Sequence, residues 1–434
     1  MSERAHTYEV LDLSLRIGEV LLSSGAGAAD VAGTMLAITG SCGVRDVSAD
    51  VTYVDLTLSY QPSSDAPAAI QTRRVTQREV DYEDLTQVDQ LVADLLAGQV
   101  SVDETRHRLA QIVSTGHQRR GWTVTAGWGL MGVGLAMTLG GRPIVCALAF
   151  LAACTIDWTR HVMSGRVPNF YQQVAGGFVA TVIAVVASGT ALDVNPSRVV
   201  TVGIVMLLAG IGLMGATQDA IMGFPVTATA RMLNAILATI GIIGGVSAGL
   251  ALRGLVGVDL EDFNPGAAGL AENGVQVIGA SLAAASFAFA SYAPLRALLA
   301  VAVVGALAET VLLVVDTAEL GYTWGSAAAA VTIGALCHAF ASRIRVPPLV
   351  IVVPAVVPLL PGLMIYRGLA LLADGRDGVP QLVAAAATAI ALASGVILGQ
   401  YLAQPIRKEA RWLERRLAGP RLVGPVMSRI RRSR

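Results

Sequence analysis

Apolar positions in the first hundred residues recur at intervals that change twice. From Tyr8 to Ser23, Leu11, Leu15, Val20 and Leu22 fall near helical spacing, and Ala28 to Thr39 resumes it after Gly25 and Gly27 interrupt. Two helices joined by a glycine elbow are expected. Asp46 to Tyr60 is instead rich in β-branched and alternating residues, and Ala68 to Val75 repeats that signature, so a small sheet follows. Helical spacing returns from Asp84 to Gln99, where Leu85, Val88, Leu91, Val92 and Leu95 share a face. Ser101, with Glu104 three residues later, can cap a further helix. Residues 1–120 therefore read as a small α+β domain.

Past Arg119 and Arg120 the alternation ends and long apolar runs take over. They lie near 123–141, 143–163, 173–192, 199–216 and 226–252, then near 275–292, 295–315, 322–341, 346–366 and 380–401. Each approaches the roughly 20 residues that a helix needs to cross a bilayer. A polar, acidic segment, 253–274, separates five runs (121–252) from five more (275–403), and 404–434 forms a basic tail. The expected fold is a polytopic α-helical membrane protein of about ten spans in two five-helix halves. An odd number of spans per half makes the halves inverted repeats.

Charge sharpens this division. Overall charge is zero, yet residues 1–120 hold 17 acidic and 10 basic side chains, 121–403 hold 12 and 11, and the tail holds 2 and 10. Only 14% of the chain is charged and 54% is hydrophobic, too apolar to wet a globular surface. With the N-terminus inside, Arg160, Arg166, Arg296, Arg343, Arg345 and the tail fall on the cytoplasmic side. Asp193, the 253–274 loop, Asp316, Glu319, Asp374 and Asp377 fall opposite. The expectation is a multi-pass protein of a bacterial inner membrane with both termini cytoplasmic. Its partners would be membrane lipid, protons and a small-molecule substrate, with a homo-oligomer open and no nucleic acid. The N-terminus lacks the charged-then-apolar pattern of a cleaved secretory signal, and the four cysteines have no paired spacing and read as reduced packing residues.

Two strings mark the fourth run of each half. LLAGIGLMGATQDAIMG begins at Leu207 and LLPGLMIYRGLALLADG at Leu359, so that Gly210 aligns with Gly362 and Gly223 with Gly375. Pro354, Pro358, Pro361 and Gly362 should break the ninth run, because proline lacks the N–H and clashes with the preceding turn. Such a break exposes amides and carbonyls that suit an amino-acid zwitterion, and paired interrupted spans are a transporter's signature. Structural kinking is the competing use. Intramembrane ionisable residues are costly, which singles out Asp157, Asp219, Arg231, Glu309 and His338. Glu309, deepest in its run, is the first candidate for proton coupling, with Asp157 and His338 behind it. Thr217, Gln218, Asn234 and Ser394 could meet a substrate hydroxyl, although helix packing is the commoner use of such residues.

The chain carries no G-x-x-x-x-G-K-[ST] or H-E-x-x-H string, and its G-x-S-x-G string, Gly245 to Gly249, lies inside a long apolar run and not at a strand-to-helix turn, which disfavours an ATP-driven pump and a membrane-embedded hydrolase. No cofactor or metal is implied. A secondary transporter remains, with a membrane enzyme or a transporter of small peptides or other metabolites as alternatives.

At these strings the sequence resembles the threonine/serine exporter family. The resemblance covers nearly the whole chain and rests on LLSSGAGAADVAGTMLAITGSCGV (21–44), TRRVTQREVDYEDLTQVDQL (72–91) and the two glycine strings. Pro361, Gly362, Tyr366, Arg367 and Gly368 match the second-half motif, and Gly210, Asp219 and Gly223 the first-half one. Ala209 stands where the family usually has proline, and Gly27 with Ala28 where it has glutamate and threonine. The resemblance implies export of threonine and serine by proton antiport, with substrate contacts at the motif positions Gly210, Asp219, Pro361, Gly362, Tyr366 and Arg367, to which the polar side chain of Asn234 is added as a substrate-binding candidate.

Overall fold

A computed structural model describes residues 3–63, 65–75, 80–117, 119–188, 199–200, 202–203, 207, 210–252, 273–318, 320–373 and 375–403. The early change of period becomes a change of structure. Helices α1 (Glu3–Ser23) and α2 (Ala28–Ser41) precede strands β1 (Val47–Val51), β2 (Asp55–Tyr60) and β3 (Ala69–Arg74), and α3 (Tyr82–Leu96) and α4 (Val102–Thr115) follow. The three strands form one antiparallel sheet in sequence order. Within 46–60 the chain folds back as a hairpin. The Thr52 N–H donates to the Asp55 carbonyl at 2.9 Å, and the Asp55 N–H donates to the Thr52 hydroxyl at 3.0 Å, so a threonine closes the turn without glycine. Leu11, Leu15 and Leu22 of α1, Met35 of α2, Leu56 and Leu58 of β2 and the whole apolar face of α3 are buried together. Each large side chain so buried contributes about 1.5–3 kcal/mol.

Eleven α-helices follow among the described residues: α5 (Gly121–Thr138), α6 (Pro143–Met163), α7 (Asn169–Ser188), α8 (Gly210–Ile221), α9 (Pro225–Ala251), α10 (Asn273–Ala290), α11 (Leu295–Thr317), α12 (Tyr322–Ile344), α13 (Leu349–Val356), α14 (Gly362–Ala373) and α15 (Val379–Leu402). Seven of them, α6, α7, α9, α10, α11, α12 and α15, are long and apolar enough to cross a membrane. The chain is a polytopic membrane protein. Helix α5 occupies the first expected span but is not one of the seven, because its glycines and threonines dilute its hydropathy. The fourth expected span lies partly outside the described residues, and α8 continues it to Ile221. Most of the 253–274 loop and all of the 404–434 tail also lie outside them.

The ninth expected span is interrupted. Helix α13 gives way to a 3-10 turn at Val357–Leu359, Leu360 is extended (φ −65°, ψ 137°), and α14 begins afresh at Gly362. Pro361 has no N–H to continue the ladder, and its carbonyl starts the next helix by accepting the Ile365 N–H at 3.1 Å.

Small residues set the helix contacts. A Cβ added at Gly177 of α7 would lie 2.6 Å from the Ile242 carbonyl oxygen of α9. At Gly241 and Gly245 it would meet the Phe170 and Val174 carbonyls at 2.9 and 2.0 Å. The same three contacts recur at the same intervals between α12 and α15: Gly334 against Val396 (2.2 Å), Gly395 against Ala327 (2.8 Å) and Gly399 against Val331 (2.2 Å). Helices α5 and α10 meet at Gly134 and Gly279, each 2.6–2.7 Å from the other's carbonyl by the same measure. Only glycine permits backbones this close. Helix α8 packs on α15 and α14 on α9, so the fourth element of each half lies against the fifth of the other.

The α+β part docks on one end of the helices. The Tyr82 N–H donates to the Ser291 carbonyl at 3.0 Å, Arg119 donates to the Phe289 and Ala293 carbonyls, and the His117 ring stacks on Tyr292 at 3.7 Å. Gln90 of α3 reaches the Arg345 carbonyl, just past α12, at 3.0 Å.

Candidate functional site

The glycine elbow before α2 is where the two parts of the chain interlock. Gly25 turns the chain at φ +96°, in the left-handed region that glycine tolerates, and Gly27 stands at the N-cap without a side chain to satisfy the helix. The cap comes instead from α8. Asp219 Oδ1 accepts the Ala28 N–H at 3.0 Å, so a carboxylate 1% exposed faces the positive end of the α2 dipole. Its Oδ2 lies 3.1 Å from Arg231 Nε on α9, and Arg231 also donates to the Ala26 carbonyl at 3.1 Å. Nearby, the Thr227 hydroxyl donates to the Val51 carbonyl at 3.0 Å.

Beside this interlock is a cavity of about 200 Å³. Helices α2 and α3 wall it on one side, through Asp30, Gly33 and Thr34 and through Leu85, Asp89 and Val92. The membrane helices wall it on the other, through Gln218 and Asp219 of α8, His338 of α12, Pro348 and Leu349 at the start of α13, and Ile397, Gln400 and Tyr401 of α15. No lysine or arginine is among its lining residues. Asp30 is open to the cavity but enclosed by protein, and that burial, reinforced by the negative charge of Asp219, raises its carboxyl to about 6. Burial alone raises the Asp89 carboxyl to about 7. Neither carboxylate has a side-chain hydrogen bond or ion pair among the described residues.

The structure brings together some of the residues singled out in the sequence and separates others. Asp219, His338 and Gln218 line the cavity, with His338 Nδ1 3.0 Å from the Cys337 sulfur. Glu309 lies elsewhere, buried on α11 within electrostatic range of Tyr322, whose hydroxyl donates to the Leu359 carbonyl at 3.3 Å. Glu309 is thus one side chain away from the broken ninth span. Asp157 accepts the Thr125 hydroxyl at 2.7 Å between α6 and α5, apart from both places. Gly210 and Gly362 open α8 and α14, Pro361 directly precedes α14, and Tyr366 and half-buried Arg367 are in its second turn. Asn234 is on an exposed face of α9, its amide donating to the Ala230 carbonyl of its own helix at 3.2 Å, outside the cavity.

Asp30, Thr34, Asp89 and Gln400 are cavity residues that the sequence reading did not select. Asp89 had a signal, because it falls at helical spacing among Leu85, Val92 and Leu96, an acid in an otherwise apolar stripe. Gln400 had none, since its partners come from helices hundreds of residues away.

Comparison with known sequences identifies the family. The family described as putative threonine/serine exporter matches residues 12–253, and a second one, described as threonine/serine exporter, matches 276–402. A probable threonine/serine exporter of Mycobacterium tuberculosis is 36% identical over 414 residues, covering 93% of this chain and 78% of the relative. The threonine/serine exporter of Corynebacterium glutamicum is 31% identical over 422 residues, covering 95% and 86%. No solved structure matches the chain. Both halves and the α+β part are matched along nearly their full length by proteins that move solutes, not by enzymes, and the chain belongs to the threonine/serine exporter family.

Proposed function

We propose that this chain exports threonine and serine from the cytoplasm by exchange for protons. The observation that carries the reading is the cavity where α8 of the first half and α12, α13 and α15 of the second meet the α+β domain. A transporter's central site is expected between its repeats, near interrupted helices. Family membership gives the substrate class, since the relatives are named threonine/serine exporters.

The membrane domain is read as ten spans in two inverted repeats, 121–252 and 275–403. Its support is the twofold recurrence of the α7–α9 glycine contacts in α12–α15, together with the exchanged packing of α8 on α15 and α14 on α9. Helix α8 also runs towards the cavity whereas α14 runs away from the end where α13 begins, as inversion requires. The cavity-bearing end is read as cytoplasmic. Arg296, Arg343 and Arg345 cluster there with the α+β domain, consistent with the positive-inside rule in a bacterial inner membrane. Exposed Leu151, Trp158, Leu233 and Leu299 suit lipid contact.

In this arrangement the cavity is the inward-facing vestibule. Gln218, Thr34 and Gln400 are available to a substrate hydroxyl, and the first turn of α13 presents a helix N-terminus to a carboxylate. Glu309, linked through Tyr322 to the break at Leu359, is the group that would take up a proton when the ninth span moves.

Efflux of labelled threonine from preloaded cells tests the reading. The chain should raise efflux over an empty vector, and a protonophore should collapse the increment. Glu309→Gln should keep exchange of threonine for threonine while losing at least about tenfold in proton-driven efflux, a barrier change near 1.4 kcal/mol. Efflux that never rises removes the substrate assignment. A rise indifferent to the protonophore removes proton coupling and the role of Glu309.

A further inference from the structure

The soluble domain is held against three turns of the membrane helices, and the holds differ in how far water reaches them. Around the turn between α8 and α9, Asp219 accepts the Ala28 N–H and Thr227 donates to the Val51 carbonyl, each residue only 1% exposed. At the turn between α10 and α11, fully buried Tyr82 donates its N–H to the Ser291 carbonyl, and Arg119 and His117 close over the same turn. At the turn between α12 and α13, the Gln90 side chain donates to the Arg345 carbonyl at 3.0 Å, and both residues are exposed. Water competes for that bond and not for the buried ones, so it opens most readily.

The second and third turns are built alike. Tyr292 and Arg345 both take left-handed backbone, at φ 62° and 55°. The next N–H reaches back to close each helix, Ala293 to the Ala288 carbonyl and Val346 to the Ala341 carbonyl, and a proline follows at 294 and 347. Helix α3 spans the pair, with Tyr82 in its first turn and Gln90 about two turns later, roughly 12 Å along the axis. The Arg345 carbonyl also has a second donor, Arg296 of α11 at 3.2 Å, so release by Gln90 leaves no orphan acceptor. Leu85, Asp89 and Val92 of α3 line the cavity across from Pro347, Pro348 and Leu349, which lead from the Arg345 turn into the broken ninth span.

We infer that α3 is a hinged inner gate, pivoting on the Tyr292 turn and latched by Gln90 to the Arg345 turn. This rests on the export reading and deepens it by giving the soluble domain a task. Release of the latch parts α3 from the start of α13 and opens the cavity to the cytoplasm. Re-engagement closes the cavity and holds the α12–α13 turn while the ninth span moves. Gln90 is outside the cavity lining and is a positioning residue, acting on cargo only through the gate.

The test uses the full chain reconstituted in liposomes. Gln90→Cys with Arg345→Cys, in a background without the native cysteines, should be bridged by a short bis-methanethiosulfonate. Export should stop when the bridge forms and return when a reductant removes it, and either substitution alone should export with or without the reagent. Gln90→Ala should raise turnover at saturating threonine about threefold without changing the half-saturating concentration, and Gln90→Lys, which keeps a donor, should restore the wild-type rate. Gly33→Cys reads the gate without transport, because position 33 lines the cavity and nothing lies within 4 Å of a Cβ there. Adding Gln90→Ala should speed its maleimide labelling by a similar factor. Full export through the bridged protein, no bridge at all, or unchanged turnover and labelling in Gln90→Ala would overturn the inference and leave export standing. Wild-type liposomes that move neither threonine nor serine would remove the export reading, and labelling at position 33 would still decide the gate.

Discussion

Helices α8 and α14 are both twelve residues long, begin at aligned glycines, Gly210 and Gly362, and end two residues before a left-handed glycine, Gly223 at φ +91° and Gly375 at φ +69°. Their surroundings differ. The turn after α8 meets the α+β part, and there Asp219 caps α2, Arg231 pairs with Asp219, and Thr227 bonds to Val51. Leu371 stands at the position in α14 that aligns with Asp219, and Ala385, the counterpart of Arg231 by the glycine contacts of α9 and α15, is a buried apolar residue. The two helices thus share a backbone plan, and polar contacts to the α+β part follow α8. Backbone shape came from glycine spacing, and the hold of this turn on the α+β part from Asp219, Arg231 and Thr227.

Breaking the shared plan should have the largest effect, and an equal one in both halves. Gly245→Val and Gly399→Val each drive a side chain into a carbonyl 2.0–2.2 Å from the new Cβ. Each should cost more than the roughly 1–3 kcal/mol of ordinary overpacking, and both should lower thermal stability and monodispersity alike. A large effect in one half alone would break the equivalence.

Asp219→Leu, which installs the residue of the second half, should come next. It leaves Arg231 nearly buried without its carboxylate and α2 without its cap, an expected cost of about 3–5 kcal/mol. Hydrogen exchange should rise across 24–31. Adding Arg231→Ala should recover part of the loss, because the stranded charge goes with it. No recovery would show that the cap, and not the ion pair, dominates.

The smallest effect is expected from Thr227→Val, which loses one hydrogen bond to the Val51 carbonyl, about 1 kcal/mol. Its readout is exchange at Val51–Asp55, with global stability nearly unchanged. A global effect would mean that docking and folding of the two parts are a single transition.

The elements were legible where one local rule sufficed. Period changes gave α1 to α4 and the sheet, apolar length gave the long spans, and Pro358 with Pro361 gave the break at Leu360. Asp46 to Tyr60 was less legible: its hairpin turn is closed by Thr52, and a β-branched run without glycine or proline carries no turn signal. Helix α5 marks the other limit, since glycines that lower hydropathy are the residues that let it approach α10. The same residue type weakens the sequence signal and strengthens the packing.

By itself, then, the sequence determined which segments are helices, which are apolar enough for a bilayer, and that two strings recur at matching positions. These depend on spacing and polarity within about twenty residues. Only the tertiary structure decided that Asp219 caps a helix nearly two hundred residues earlier, that Glu309 sits beyond Tyr322 away from the cavity, and that Asp30 and Asp89 share a cavity with Gln400. A carboxylate's role depends on which charges and amides surround it, and those neighbours are chosen by packing between distant helices, which no local pattern encodes.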